Sequence, residues 1–534
     1  MHWSSCLTLS HSKIRRVKCG EEKPACLRCT STGRTCDGYD KGAPSRHRTQ
    51  ETLRSLEIAK REFLKTYQWN DAFRSMRPLI ADIDGTETER RFFHKFRTVS
   101  SGGLANHVLN FTDFFARICP QMSHQDEAVK HAMVALGAAY HQFQIPEGAS
   151  PTDCDEVEVF TIEQYTKSLS KLQKHVASPS DDSTRLFLVC CLAFICLESL
   201  RSNHTAALTH LRNGLNIIGS LPDCYFEFLA DDNKASRGVY SGDLDMQDII
   251  MIFARLEISA SFFADQVKPV IAIKSYNLRK MYDGSEMQDF KDLWDVHKQE
   301  LAYFRDIHGR MYETDGRSGD LEFWSRPEES AQQFRLAART RKLELLFKRF
   351  MSSPKAPRPG TSEYFSLHVD WLHFRCASLF LNGMTGLDPE TLQAKCPEPA
   401  KSDQAIIKEM FVTGNMLYQN YHKRSRTQKA RGYTYDAGIV GPLYYVSISS
   451  EDATIRNKSL KLLREIHVRE GFWDGPEMQN LVKQVGQAIE GEKWPFEEVP
   501  RTLTGLGSVP GIYDTLARLD LSSDSESPDS RISA

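Results

Sequence analysis

Four cysteines, Cys19, Cys26, Cys29 and Cys36, fall within eighteen positions of the stretch KIRRVKCGEEKPACLRCTSTGRTCDGY, which runs from Lys13 to Tyr39. Cys26 and Cys29 form a CxxC pair, the spacing at which two thiolates grip one metal ion from a single turn. Cys19 and Cys36 stand seven positions to either side, far enough to close a tetrahedron around zinc. The rival chemistry for CxxC is thiol–disulfide exchange, which needs a strand and helix of thioredoxin type around the motif, and none is legible here. Immediately ahead of Cys19, Lys13, Arg15, Arg16 and Lys18 are packed into six positions. On a short helix such cations neutralise phosphates and reach guanine O6 and N7 in the major groove of duplex DNA. The same run also reads as a nuclear-import signal, which is compatible with that role, and a merely solvated basic turn is the bland alternative. Arg34, Lys41, Arg46 and Arg48 read as backbone or linker charges.

The stretch resembles the fungal zinc binuclear cluster (Zn₂Cys₆) family of transcription factors. Its pattern is Cys-x2-Cys-x6-Cys, a loop, and the same again. The basic run before Cys19, Pro24 two residues before Cys26, and the ending Cys36-Asp-Gly-Tyr39 all match it. Membership implies two zinc ions held by six cysteines, two of which bridge both metals, and a basic residue reading a CGG half-site at the position that Arg16 occupies. The family spacing places two further cysteines at positions 9 and 12, where this chain has Leu9 and Ser12. By the resemblance the first of these is a bridging ligand, so the binuclear cluster cannot close as written. Cys6 and His11 are near but wrongly spaced, and one zinc held by Cys19, Cys26, Cys29 and Cys36 is the chemically accessible departure. The abrupt loss of resemblance before Lys13 is what a misplaced exon start or a retained intron produces. It predicts a natural transcript with two cysteines upstream.

These side chains need a scaffold, and composition says what kind. An apolar share of 40% and a charged share of 26% over 534 residues are ordinary for a chain that folds around a large core. The net charge of −2 hides an asymmetry: residues 1–50 carry ten Lys/Arg against four Asp/Glu, which leaves −8 on the rest. A basic head on an acidic body suits a chain that meets a polyanion at one end. Cysteines beyond the head are scattered through apolar runs such as LFLVCCLAFICL, where they act as small buried hydrophobes and point to a reducing compartment. That twelve-residue run, Leu186 to Leu197, is too short to span a bilayer and reads as a core helix, so no membrane partner is expected. No secretory leader is legible.

Four segments are expected: a zinc module over 1–39, a linker with a short dimerisation helix over 40–85, an all-α body over 86–515, and an acidic Ser-rich tail over 516–534. Glu51 to Trp69 carries at most two heptads, which leaves a homodimer open. In the body, Thr88–Thr98 reads as a helix, and Ser123 reads as the N-cap of a helix that carries Val129, Ala132, Met133, Leu136 and Tyr140 on one face. Tyr165, Leu169, Leu172 and Val176 form another stripe, and Ser183 reads as the cap of a buried helix paired in a hairpin with Leu208–Ile218. Pro354–Thr361 reads as a linker that halves the body, and Trp473 as an anchor at a helix end.

The order of ERRFFHKF, Pro120–Tyr140, HLRNGLNII, IFARLEISASFF, DAGIVGPLYYV (Asp436–Val446), IRNKSLKLL and REGFWDG (Arg469–Gly475) resembles the helical regulatory domain behind the zinc cluster in one branch of the same family. It departs at Gly441, where a proline is usual, and at Ser450–Ala453. No Gly-rich phosphate loop, HExxH or GxSxG is present, and histidines such as His131 and His210 are expected to be packed or solvated. The reading is therefore a nuclear, zinc-dependent, non-enzymatic regulator that binds double-stranded DNA and takes an effector or coactivator. The alternative is a helical ligand-sensing or interaction protein that has lost DNA binding.

Overall fold

The computed structural model describes residues 27–31, 82–102, 114–145, 151–177, 183–229, 244–261, 268–279, 287–315, 317, 320–384, 402–422 and 431–488. The chain separates into two compact units, Met1–Arg74 and Ser75–Ala534. Within the first, Leu27–Thr30 forms one helical turn with Leu27 exposed. The linker at 40–50, the helix expected over Glu51–Trp69 and the acidic tail lie outside the described residues.

The second unit is helical. Its first helix, α1 (Glu87–Gly102), opens on a reciprocal capping box: Thr86 N donates to Glu89 Oε2 at 2.8 Å, and Glu89 N to Thr86 Oγ1 at 3.2 Å. Next come α2 (Cys119–Gln125) and α3 (Glu127–Phe143). The cap of α3 is Asp126, which accepts from Ala128 N and Val129 N, and not Ser123, whose hydroxyl bonds back to Cys119 O inside α2. A carboxylate two residues ahead of the first free N–H outcompetes a hydroxyl already engaged in a preceding helix. Helix α3 is buried from Ala128 to Tyr140 on nearly every side. At Gly137 it passes so close to α1 that a Cβ would lie 2.1 Å from Phe92 O.

Helix α4 (Pro151–Ala177) packs on α3 through a largely polar face that takes in only part of the expected stripe, with Leu172 buried and Tyr165 against Phe194. Thr161, Gln164, Ser168 and Leu172 are buried, whereas Leu169 and Val176 are exposed. Hydrogen bonds hold that face: Ser168 Oγ donates to Ala128 O at 2.7 Å, Gln164 Nε2 to Glu89 Oε1 at 2.9 Å, and Gln164 Oε1 faces His131 Nδ1 at 2.6 Å. The buried helix begins at Ser183 as α5 (Ser183–Leu200) and pairs with α6 (His204–Gly219) across a three-residue turn in which Ser202 takes a φ of 57°. Helix α5 is long and apolar enough to cross a membrane, yet 78% of it is buried inside this body.

Helices α7 (Leu244–Ser261), α8 (Ile271–Arg279), α10 (Pro327–Met351) and α11 (Ser362–Met384) surround α9 (Leu293–Glu313). Pro354–Thr361 is the turn between α10 and α11 within one compact unit, so it does not halve the body. The chain ends its described course with α12 (Asp403–Leu417), β1 (Gly432–Thr434), α13 (Val440–Ser449), α14 (Ala453–Glu465), β2 (Val468–Glu470) and α15 (Gly475–Ala488). The two short strands pair in parallel, with Tyr433 opposite Arg469. Sequence patterning missed both because three residues show no alternation. The expected helix end before Trp473 is therefore a strand followed by a turn, with Gly471 at a φ of +59° that favours glycine.

Candidate functional site

The residues expected to hold metal and read DNA fall mostly outside the described part. Lys13, Arg15, Arg16, Lys18, Cys19, Cys26 and Cys36 lie there, and Cys29 is placed by its backbone on the turn Leu27–Thr30. The donor set is chemically right for zinc, since thiolates at this spacing are its preferred ligands. Among the described residues no group of three or more His, Cys, Asp or Glu could hold a metal.

The body holds a cavity of about 60 Å³ where α7, α9, α11, α13 and the 436–442 turn meet. Its apolar wall is Leu301, Phe304, Phe380, Tyr444, Tyr445 and Trp473. Its polar end is Arg255, Glu300, His373 and Asp436. Arg255 Nε donates to Asp436 Oδ1 at 2.8 Å, and Arg255 Nη1 lies 3.8 Å from Glu300 Oε2. His373 Nε2 sits 3.0 Å from Gly438 O, and its Nδ1 lies 4.0 Å from Glu300 Oε1. Burial pushes the His373 imidazole down to about 4, so it is neutral at physiological pH. Burial pushes the Glu300 carboxyl well up; Asp370 and Asp436 add to the rise and Arg255 opposes it.

The turn that forms one wall is held by an element far away in sequence. Glu470 of β2 accepts from Gly438 N at 2.8 Å, Ile439 N at 3.1 Å and Val440 N at 2.9 Å, and so caps α13 from across the fold. Glu257 performs the same office for α8, accepting from Val270, Ile271 and Ala272 N–H groups. Burial pushes each carboxyl up to about 7 against the pull of three donors. Next to Glu470, Arg469 ties three elements together: it donates to Ser199 O at 2.6 Å, Ser202 Oγ at 2.7 Å and Asp474 Oδ2 at 3.1 Å. Trp473 Nε1 donates to Ser259 Oγ at 3.1 Å, which docks β2 and its turn on α7.

The segments DAGIVGPLYYV and REGFWDG, distant in the chain, thus converge on one site. Glu300 and Arg255 were not singled out from sequence. The available signal was a charged residue inside an aromatic-rich helical repeat, and surface helices show the same. His131 and His210 are packed side chains, bonded to Gln164 and to Tyr165 Oη at 2.6 Å each.

Comparison with known proteins agrees with this architecture. The fungal Zn(2)-Cys(6) binuclear cluster domain matches residues 11–45, and the fungal specific transcription factor domain matches residues 91–333. Together they place the chain in the fungal Zn₂Cys₆ transcription factor family, whose cluster domain carries zinc. Among its relatives are the transcription regulator lscL of Purpureocillium lilacinum, 29% identical over 41% of this chain and 50% of that protein. The aspercryptin biosynthesis cluster-specific transcription regulator atnN of Emericella nidulans is 30% identical over 40% of this chain and 34% of that protein. The matches thus span half or less of the length of these relatives. No solved structure matches. Both domains and both relatives belong to transcription regulation and not to catalysis.

Proposed function

We propose that this chain is a nuclear, zinc-dependent regulator that binds CGG-type half-sites in double-stranded DNA near genes read by RNA polymerase II. The observation that carries the reading is the zinc-cluster match over 11–45, which contains all four cysteines and the whole basic run. Cys19, Cys26, Cys29 and Cys36 hold zinc. Arg16 reads guanine, while Lys13, Arg15 and Lys18 neutralise phosphates. The helical body senses an effector or recruits a coactivator, and a homodimer sets the spacing of half-sites. The test is zinc content of the purified full chain together with binding to CGG-containing duplexes across a salt series. Stoichiometric zinc with salt-dependent, CGG-selective binding is expected. A metal-free chain indifferent to DNA overturns the reading.

A second reading is favoured by Leu9 and Ser12, which stand where the family has cysteines: a helical sensing protein that has lost DNA binding. Leu9→Cys with Ser12→Cys separates the two. Recovery of a second zinc and of DNA affinity only in the double variant supports the second reading. Full affinity in the unaltered chain rejects it.

A further inference from the structure

We propose that the cavity between α7, α9, α11 and α13 is the effector site and that it takes a small organic ammonium ion with an apolar body. This names a ligand class for the sensing role given above and rests on that role only for its regulatory meaning. The binding chemistry stands on the geometry alone.

The polar end of the cavity is short of hydrogen-bond donors. Glu300 is 1% exposed and Asp436 3% exposed, and Glu300 Oε2 and Asp436 Oδ2 have no hydrogen-bond partner. Each is a buried acceptor on a cavity-lining residue, and a buried acceptor left unmet costs on the order of 1–3 kcal/mol. Charge runs the same way. Glu300 is faced by Arg255 from α7, by Asp370 and His373 from α11, by Asp436 from the turn, and by Arg305 on its own helix. His297, also on α9, is already engaged with Asp370. Arg255 and Arg305 face three carboxyls, and His373 is neutral, so ionisation of Glu300 leaves an excess of negative charge that an added cation offsets and an added anion worsens. The remaining wall is aromatic: Phe304, Phe380, Tyr444, Tyr445 and Trp473 offer ring faces that attract a cation and bury its hydrocarbon part. A carboxylate would meet Glu300 and Asp436. A neutral hydroxyl would satisfy one acceptor without stabilising the charged form of Glu300.

The structure also predicts where a proton goes. An ammonium beside Glu300 stabilises its carboxylate, so binding releases the Glu300 proton to solvent while the ligand keeps its own.

Isothermal titration of the zinc-loaded full chain at pH 7 tests this with ethylamine and propylamine, which match a cavity of about 60 Å³, against propan-1-ol and propionate. Two buffers of different ionisation enthalpy count the protons. At least one amine is expected to bind roughly tenfold or more tighter than the alcohol, with release of up to one proton, and propionate not at all. Glu300→Gln should abolish the proton release and weaken the amine by a similar factor. Gly441→Phe should block the site, because a Cβ there lies 3.1 Å from the Trp473 ring. Helicity and DNA affinity of each variant confirm that it folds. Equal affinity for amine and alcohol, proton release that survives Glu300→Gln, or no heat with either amine overturns the proposal. A chain that binds DNA and no amine loses only this site. One that binds amine and no DNA loses only the zinc-cluster reading.

Discussion

Buried ionisable side chains do the positioning in this body, and each carries a measurable signature. Glu470 is 0% exposed and holds the start of α13, with its carboxyl pushed up to about 7 against an unfolded value of 4.5. The folded state therefore binds more protons than the unfolded between those values. The stability from this group is complete below about pH 4.5 and is lost as pH rises through about 7. Urea midpoints at pH 5, 6, 7 and 8 should fall across this range, and the fall should be shallower in Glu470→Gln. An unchanged slope would show that the proton sits elsewhere. Arg469, 1% exposed, compensates Asp474, also 1% exposed, with Arg431 as Asp474's other partner. Arg469→Ala is expected to cost about 3 kcal/mol in denaturant unfolding, since it leaves buried Asp474 with Arg431 alone and takes the donor from Ser199 O and Ser202 Oγ. Asp474→Asn added to it should recover part of that loss.

Between elements, close approach and capping decide the geometry. The α1–α3 contact leaves no room at Gly137, where a methyl would lie 2.1 Å from Phe92 O. Gly137→Ala should destabilise by at least about 2 kcal/mol, because backbone cannot yield as a flexible side chain can. Asp126→Ala should cost about 1 kcal/mol through loss of the α3 cap, and more if its 2.7 Å contact with His175 is also stabilising. Ser123→Ala, by contrast, should be nearly silent at the α3 terminus. Thermal unfolding of the three variants ranks them. The polar seam of α4 is where patterning was half right: Tyr165 and Leu172 of its stripe pack inward, but Leu169 and Val176 are exposed, and buried hydrogen bonds to Ala128, His131 and Glu89 hold the inward face.

For the whole molecule, the basic head predicts a salt dependence that the acidic body cannot supply. If four cations meet phosphates or bases, log affinity should fall with log salt at a slope of about −3 to −4. Lys13→Ala, Arg15→Ala and Lys18→Ala should each lessen that slope by about one. Arg16→Ala should relax preference for the CGG sequence as well. A slope near zero in the unaltered chain would place the chain with the sensing reading.

Read by itself, the sequence established the helical class, the cysteine-and-basic motif of the zinc-cluster domain, the α5–α6 hairpin and the family, because these are local. Thiol spacing, 3.6-residue periodicity and turn residues are encoded within a few positions. The cavity was decided only by tertiary structure. Its polar end joins Arg255, Glu300, His373 and Asp436 from four segments, and its turn is capped by Glu470 from another strand. Nothing near Glu300 in sequence distinguishes it from a solvated helix residue. Burial and convergent charge, which only the folded chain supplies, gave it chemistry.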